Sequence, residues 1–163
     1  MIVRRELSSD IDAVRDLLDT ASLQAIVDEL RRSDVWLQAL SFVALETTGD
    51  VVGYVVGTRG RVGSSPALAL GPPTIHPQLR GRGVGQALMH TILGAADALG
   101  ETIAGLVADP AAYFLRFGFA PGDAYGVAAP VPEWEPYFLV RPLTAYTPAL
   151  RGTFVFPEPF TRR

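Results

Sequence analysis

The stretch "HPQLRGRGVGQALM", His76 to Met89, sets Pro77, Gly81, Gly83 and Gly85 beside Arg80 and Arg82 and then becomes helical. Exposed backbone N–H groups at a helix start, flanked by guanidinium groups, form a receptor for an anion, most often a phosphate. Three readings of the glycines compete. A dinucleotide fingerprint needs G-x-G-x-x-G, but Gly81, Gly83 and Gly85 are spaced by two, so that pattern fails. Ordinary glycines at a helix start are the second reading. The third takes Arg80-x-x-Gly83-x-Gly85 as one unit.

Several chemistries are closed to this chain. It has no cysteine, which excludes disulfides, thiolate metal sites and a cysteine acyl-enzyme. His76 and His90 are its only histidines, too few soft ligands for a structural zinc site, and no metal is expected. All 14 basic side chains are arginine. Without lysine there is no Walker A loop and no Schiff base. The net charge of −3 argues against a nucleic-acid partner. No apolar run reaches the length of a membrane span and the N-terminus lacks a signal-peptide layout, so the expectation is a cytoplasmic protein with no membrane partner.

The elements that must position the turn follow from periodicity. At 163 residues, 48% of them apolar, the chain is expected to form a single domain over 1–163 with one substantial core. "MIVRREL" reads as a strand. "SSDIDAVRDLLDTA" reads as a helix with Ser9 at its N-cap, and "SLQAIVDELRRSD" as a second, with Leu23, Ile26, Val27 and Leu30 on one face. "SFVALETTGDVVGYVVGTRGRVG" reads as a hairpin about Thr47 to Asp50. "PALALGPPTI" is a strand whose Gly71, Pro72 and Pro73 predict a bulge or splay at its end. A helix follows to Leu99, with Val84, Leu88, Ile92, Ala95 and Leu99 as its buried stripe and Gly100 as its stop. "TIAGLVA" is a buried strand, and "DPAAYFLRFGF" a short helix capped by Asp109 and Pro110. "PYFLVRPL" and "GTFVFPEPF" are the last strands. The order predicts a mixed α/β sheet with helices packed on it. The apolar, Pro-rich end from Tyr137 onward predicts a homodimer through the late strands.

Arg80-x-x-Gly83-x-Gly85, the strand before it, the helix after it, "GLVAD" and "YFLRFGF" occur in the order found in the GCN5-related N-acetyltransferases, and the chain resembles that family. The specific part runs from Pro66 to Phe119. The tail from "VRPLTAYTPAL" onward is similar to a bacterial branch of predicted acetyltransferases. The resemblance implies a centrally splayed mixed β-sheet flanked by helices, with acetyl-CoA as co-substrate. It lays the coenzyme A pyrophosphate on the turn of Leu79, Arg80, Gly81, Arg82, Gly83, Val84 and Gly85. It also implies that a backbone N–H among Thr74, Ile75 and His76 faces the thioester carbonyl. Hydrogen bonds to a charged group contribute roughly 1.5–3 kcal/mol each, against about 0.3–1 kcal/mol for an exposed anion at a helix start, so the N–H groups outweigh the dipole.

The resemblance further implies direct attack by a primary amine of a small molecule or peptide, with a tyrosine protonating the leaving thiolate. The family's usual position falls on Phe114, and Tyr113 is the candidate acid one residue earlier. The base stays open among Glu46, Glu101, Asp109 and His76 acting through water. A lysine-type amine with pKa near 10.4 costs roughly 4.6 kcal/mol to deprotonate at pH 7, an α-amine near 7.8 about 1. Acceptor specificity is expected from the first helical region and from the loop holding Trp134 and Tyr137. The alternative is a non-catalytic acyl-CoA-binding regulatory module, which Phe114 favours.

Overall fold

The computed structural model describes residues 1–161. The chain runs through β1 (Ile2–Arg5), α1 (Ile11–Leu17), α2 (Ala21–Arg31), β2 (Trp36–Leu45), β3 (Val51–Val62), β4 (Ser65–Leu70), β5 (Thr74–Ile75) and α3 (Val84–Ala98). It continues through β6 (Ile103–Val107), a 3₁₀ segment (Ala111–Phe117), β7 (Ala120–Pro121), β8 (Val127–Ala128), β9 (Phe138–Pro142) and β10 (Gly152–Val155). The strands form one mixed sheet in the order β1-β2-β3-β4-β6-β9-β7, with β5 and β10 also on β3 and β8 on β10.

The splay has a definite register. Strand β4 pairs in parallel with β6 only at Leu68↔Ala104 and Ala69↔Gly105. Gly71, Pro72 and Pro73 then interrupt it, because proline has no N–H to give to a ladder. The chain re-enters the sheet as β5 against β3 alone, at Gly53↔Ile75 and Tyr54↔Thr74. Strand β6 meanwhile continues through Leu106 and Val107 against β9. A wedge therefore opens between β5 and the end of β6.

Helix α3 covers one face, burying Leu88, Met89 and Ile92 completely. Each such side chain contributes about 1.5–3 kcal/mol, more than the roughly 1 kcal/mol that Gly85 or Gly94 costs a helix. Its face differs from the expected stripe: Leu93 and Ala96 are buried, whereas Leu99 is 54% exposed. Each i+4 step rotates about 40° past a full turn, so a run of such steps leaves the sheet. The helix stops where expected, with Gly100 in the left-handed region at φ +80°. Helices α1 and α2 cover the opposite face through Val14, Leu18, Val27, Val43, Tyr54 and Val56.

Two expected caps do not form. Ser9 lies inside a 3₁₀ turn, and the Asp10 carboxylate accepts the Leu7 N–H at 2.7 Å instead. Asp109 caps nothing, since the 3₁₀ segment has Pro110 at its N-cap and no side-chain cap bond. Thr20 does cap α2, its Oγ1 accepting from Leu23 N–H at 3.1 Å. The C-terminal stretch folds back across its own sheet. Phe154, Phe156 and Phe160 are buried with Leu30 and Phe138, which covers much of the apolar end that predicted a homodimer, while Tyr137 and Val155 stay exposed.

Candidate active site

The first turn of α3 carries the backbone donors expected to receive an anion. Its N-cap, Gly83, adopts φ +86°, a conformation that carries no penalty only without a Cβ. The first ladder bond runs from Ala87 N–H to Gly83 O at 3.0 Å, which leaves the N–H groups of Val84, Gly85 and Gln86 without helical partners. No side-chain oxygen caps them. The Leu79 N–H is already spent on the His76 carbonyl at 2.9 Å, so Leu79 adds no backbone donor to the expected set.

A cleft of about 710 Å³ runs from this turn to the strand break. Thr74, Ile75, Leu79, Arg80, Gly81, Gly83 and Gly85 all line it. His76, Arg82 and Val84 do not. Val84 is buried beneath α3, and the Gly53 position has no room for a Cβ beside it and Leu88. Of the two arginines on the turn, only Arg80 faces the cleft, where Arg116 joins it. Neither forms a salt bridge among the described residues, so the Arg80 guanidinium and the terminal nitrogens of Arg116 are available to an anion.

The strand break orders its donors. His76 N–H is bonded to Val52 O at 2.8 Å, which removes His76 from the donors expected to face a thioester. Successive N–H groups along an antiparallel strand alternate between the partner and the opposite side. Ile75 N–H therefore points away from β3, toward the wedge. The His76 ring is engaged too, its Nδ1 accepting from Gln78 N–H at 3.2 Å.

Tyr113 and Phe114 separate on the 3₁₀ segment, where successive side chains stand about 120° apart. Phe114 is buried with Phe117 and Phe119. Both residues line the cleft, and of the two Tyr113 alone brings a hydroxyl to it. A methyl group at Gly85 would lie 3.2 Å from both Tyr113 Oη and Ile75 Cδ1, so the phenol, the strand break and the start of α3 converge on one point. The Arg116 guanidinium stacks 4.3 Å from the Tyr113 ring centroid and its Nε donates to Tyr113 O at 3.0 Å.

Of the carboxylates considered from sequence, only Asp109 reaches the cleft. Glu101 is held by Arg59 through two 2.8 Å bonds near the start of β4, at the end of that strand remote from the break. Glu46 lies in the β2–β3 turn, its N–H bonded to Asp50 O. A second carboxylate, Asp19 at the α1–α2 junction, lines the cleft with Leu23 and was not legible in the sequence. Its only signal was its place between two helices. Trp134 and Tyr137 instead border a separate space of about 270 Å³, which shares Asp109 with the cleft. Among the described residues no group of three or more His, Asp or Glu could hold a metal, and no helix is long and apolar enough to cross a membrane.

A comparison with curated proteins gives no match. Among solved structures, a GNAT family N-acetyltransferase (YhbS) from Escherichia coli, in complex with CoA, is 25% identical, covers 99% of this chain and 92% of its own, and superposes with a TM-score of 0.89. A GNAT family acetyltransferase from Brucella melitensis in complex with acetyl-CoA is 24% identical over 98% of this chain and 97% of its own, with a TM-score of 0.77. The Naa20 protein of Chaetomium thermophilum, in complex with a bisubstrate analogue, shares the fold at 20% identity, 89% and 88% coverage and a TM-score of 0.62. The family model for the acetyltransferase (GNAT) family matches residues 11–119, the span that holds the wedge, the glycine turn and Tyr113. With the splayed sheet and the turn in place on two thirds of its length, this chain belongs to the GNAT acetyltransferase family.

Proposed function

We propose that the protein transfers an acetyl group from acetyl-CoA to a primary amine by direct attack within the cleft between the glycine turn and the strand break. The observation that carries this reading is the convergence of Gly85, Ile75 and Tyr113 at one point. Coenzyme A supplies the activated thioester. The N–H groups of Val84, Gly85 and Gln86, with Arg80 and Arg116, are the chain's binding groups for its phosphates. Ile75 N–H is the donor suited to charge developing on the thioester oxygen.

Tyr113 is the proton donor to the departing sulfur, a role that a phenol with ordinary pKa near 10 can perform. Asp19 and Asp109 hold the incoming ammonium group and accept its proton through water. Because both are exposed, this help suits an α-amine or another weakly basic amine better than a lysine side chain. The absence of cysteine leaves no family-style acyl-enzyme thiol.

The competing reading, a regulatory acyl-CoA sensor, drew support from Phe114. The placement of Tyr113 in the cleft answers that objection with a hydroxyl one residue away. Incubation with acetyl-CoA and a panel of small amines and peptide N-termini tests the choice. Consumption of thioester that depends on the amine is expected. Calorimetric binding of acetyl-CoA without turnover on any amine would establish the sensor instead.

A further inference from the structure

Beside the main cleft lies a smaller space of about 60 Å³, between Leu18 and α2 on one side and Gly71, Pro72 and Thr74 of the strand break on the other. Leu23 and Thr74 line both spaces, so the small cavity adjoins the cleft where β5 departs from β6. No charged side chain lines it. The hydroxyl of its one tyrosine, Tyr54, is bonded to Ser41 Oγ at 2.9 Å. Phe160 forms another part of its wall. That ring belongs to the last 3₁₀ turn, outside the span matched by the family model, and is fixed edge-on to Phe156 at 6.0 Å.

We propose that this cavity receives the alkyl end of an acyl group longer than acetyl, making a propionyl- or butyryl-type CoA thioester the preferred donor, with Phe160 setting the limit of chain length. The inference rests on the acyl-transfer reading above and specifies its donor. Two apolar occupants compete, the acyl chain and a substituent of the amine. The amine arrives as a cation and must stay near carboxylates until it loses its proton, and both Asp19 and Asp109 lie in the large cleft. An ammonium in an uncharged apolar space would be heavily penalised. The acyl chain carries no charge, and Thr74, the residue next to the Ile75 N–H that suits the thioester, is part of the cavity wall. An acetyl group has a single methyl and would leave most of this space without contacts.

The test is a calorimetric series of acetyl-, propionyl-, butyryl- and hexanoyl-CoA on the full chain, repeated with Phe160→Ala and Ile26→Phe. Affinity should rise about fourfold per methylene to butyryl and then fall. Phe160→Ala should carry the rise on to hexanoyl. Ile26→Phe, which fills the cavity from α2 at a partly exposed position, should return the preference to acetyl; it also keeps the test open if Phe160→Ala fails to fold. Affinity that is flat or falling beyond acetyl overturns the proposal, as does a rise that neither substitution moves. An alkylamine series at fixed acetyl-CoA forms the second arm. If chain length on the amine raises kcat/KM and the two variants shift that optimum, the acceptor occupies the cavity and the acyl assignment is wrong. A rising acyl-CoA affinity with no amine consumed by any thioester would leave the cavity assignment standing and defeat the acyl-transfer reading alone.

Discussion

Tyr113 and Phe114 are neighbours in the chain and both border the cleft, but Phe114 is buried in the core whereas Tyr113 brings a hydroxyl to the cleft. A 3₁₀ step sets the two side chains about 120° apart, which brings the Tyr113 hydroxyl beside Gly85 while the Phe114 ring packs edge-on to Phe119. Two substitutions separate the proposed roles at this point. Tyr113→Phe keeps the ring, its edge contacts with Phe114 and Phe117 and the Arg116 stack, and loses only the hydroxyl. It should lower kcat by roughly 10²–10⁴ while leaving acetyl-CoA affinity unchanged. Normal turnover would make water the donor and Tyr113 a packing residue. Gly85→Val should do the reverse. Its branched side chain would press on Ile75 and Tyr113 and cover the helix N–H groups, so calorimetry should show acetyl-CoA affinity reduced at least tenfold in a folded protein.

At the scale of elements, polar contacts decide how α1 and α2 sit over the cleft. Glu6, just past β1, accepts from Arg31 at the end of α2 at 2.6 and 2.9 Å and from Ser41 of β2 at 3.1 Å. The carboxylate is 4% exposed and the guanidinium 18%. Removing one partner of such a pair strands a buried charge, so Glu6→Ala should cost about 3–5 kcal/mol in chemical denaturation. Arg31 Nε already lacks a partner, and the guanidinium stacks over the Trp36 ring at 4.6 Å, so without Glu6 the neighbouring Tyr54 hydroxyl is an uncharged substitute for a carboxylate.

Asp10 adds a pH dependence. Its bonds from Arg4, together with the Leu7 N–H, hold its pKa below the usual carboxylate range. A lowered folded-state pKa stabilises the fold above the unfolded value, and the contribution disappears as pH falls through the folded one. Thermal melts should therefore show Asp10→Asn less stable than the parent at neutral pH, with the difference shrinking in strong acid. A difference that is constant down to the acid limit would contradict this account.

For the whole molecule, the C-terminal third acts as part of the fold. Strand β10 pairs with the outer end of β3 at Phe154↔Val62 and in parallel with β8 at Gly152↔Val127. Phe154 is fully buried over Gly105 of β6, where a Cβ would overlap its ring. The remaining exposed large apolar side chains are spread along the chain, among them Leu7, Leu99, Leu115 and Val131, and among the described residues the late region keeps only Tyr137 and Val155. Light scattering at micromolar concentration should accordingly return a monomer. A dimer would return the interface to the late strands, where Tyr137 and Val155 are exposed, or place it on the open edge of β1.

The sequence by itself determined the order of elements, the position of the glycine turn, the interruption at Gly71 to Pro73 and the family resemblance. These are local properties: proline removes a ladder donor, glycine permits φ +86° at residue 83, and apolar period marks helix or strand. It also excluded thiol and lysine chemistry by composition alone. Only the tertiary structure chose among residues of equal local standing. Asp109 reached the cleft while Glu46 and Glu101 did not, and Asp19 joined it from another element. The Ile75 N–H was singled out because Val52 captures that of His76, and Phe160 came to wall a cavity whose other lining residues all lie in the first half of the chain. Spacing along a chain carries no record of such meetings. They depend on which strand takes which neighbour and on where the two faces of one sheet bring distant side chains together.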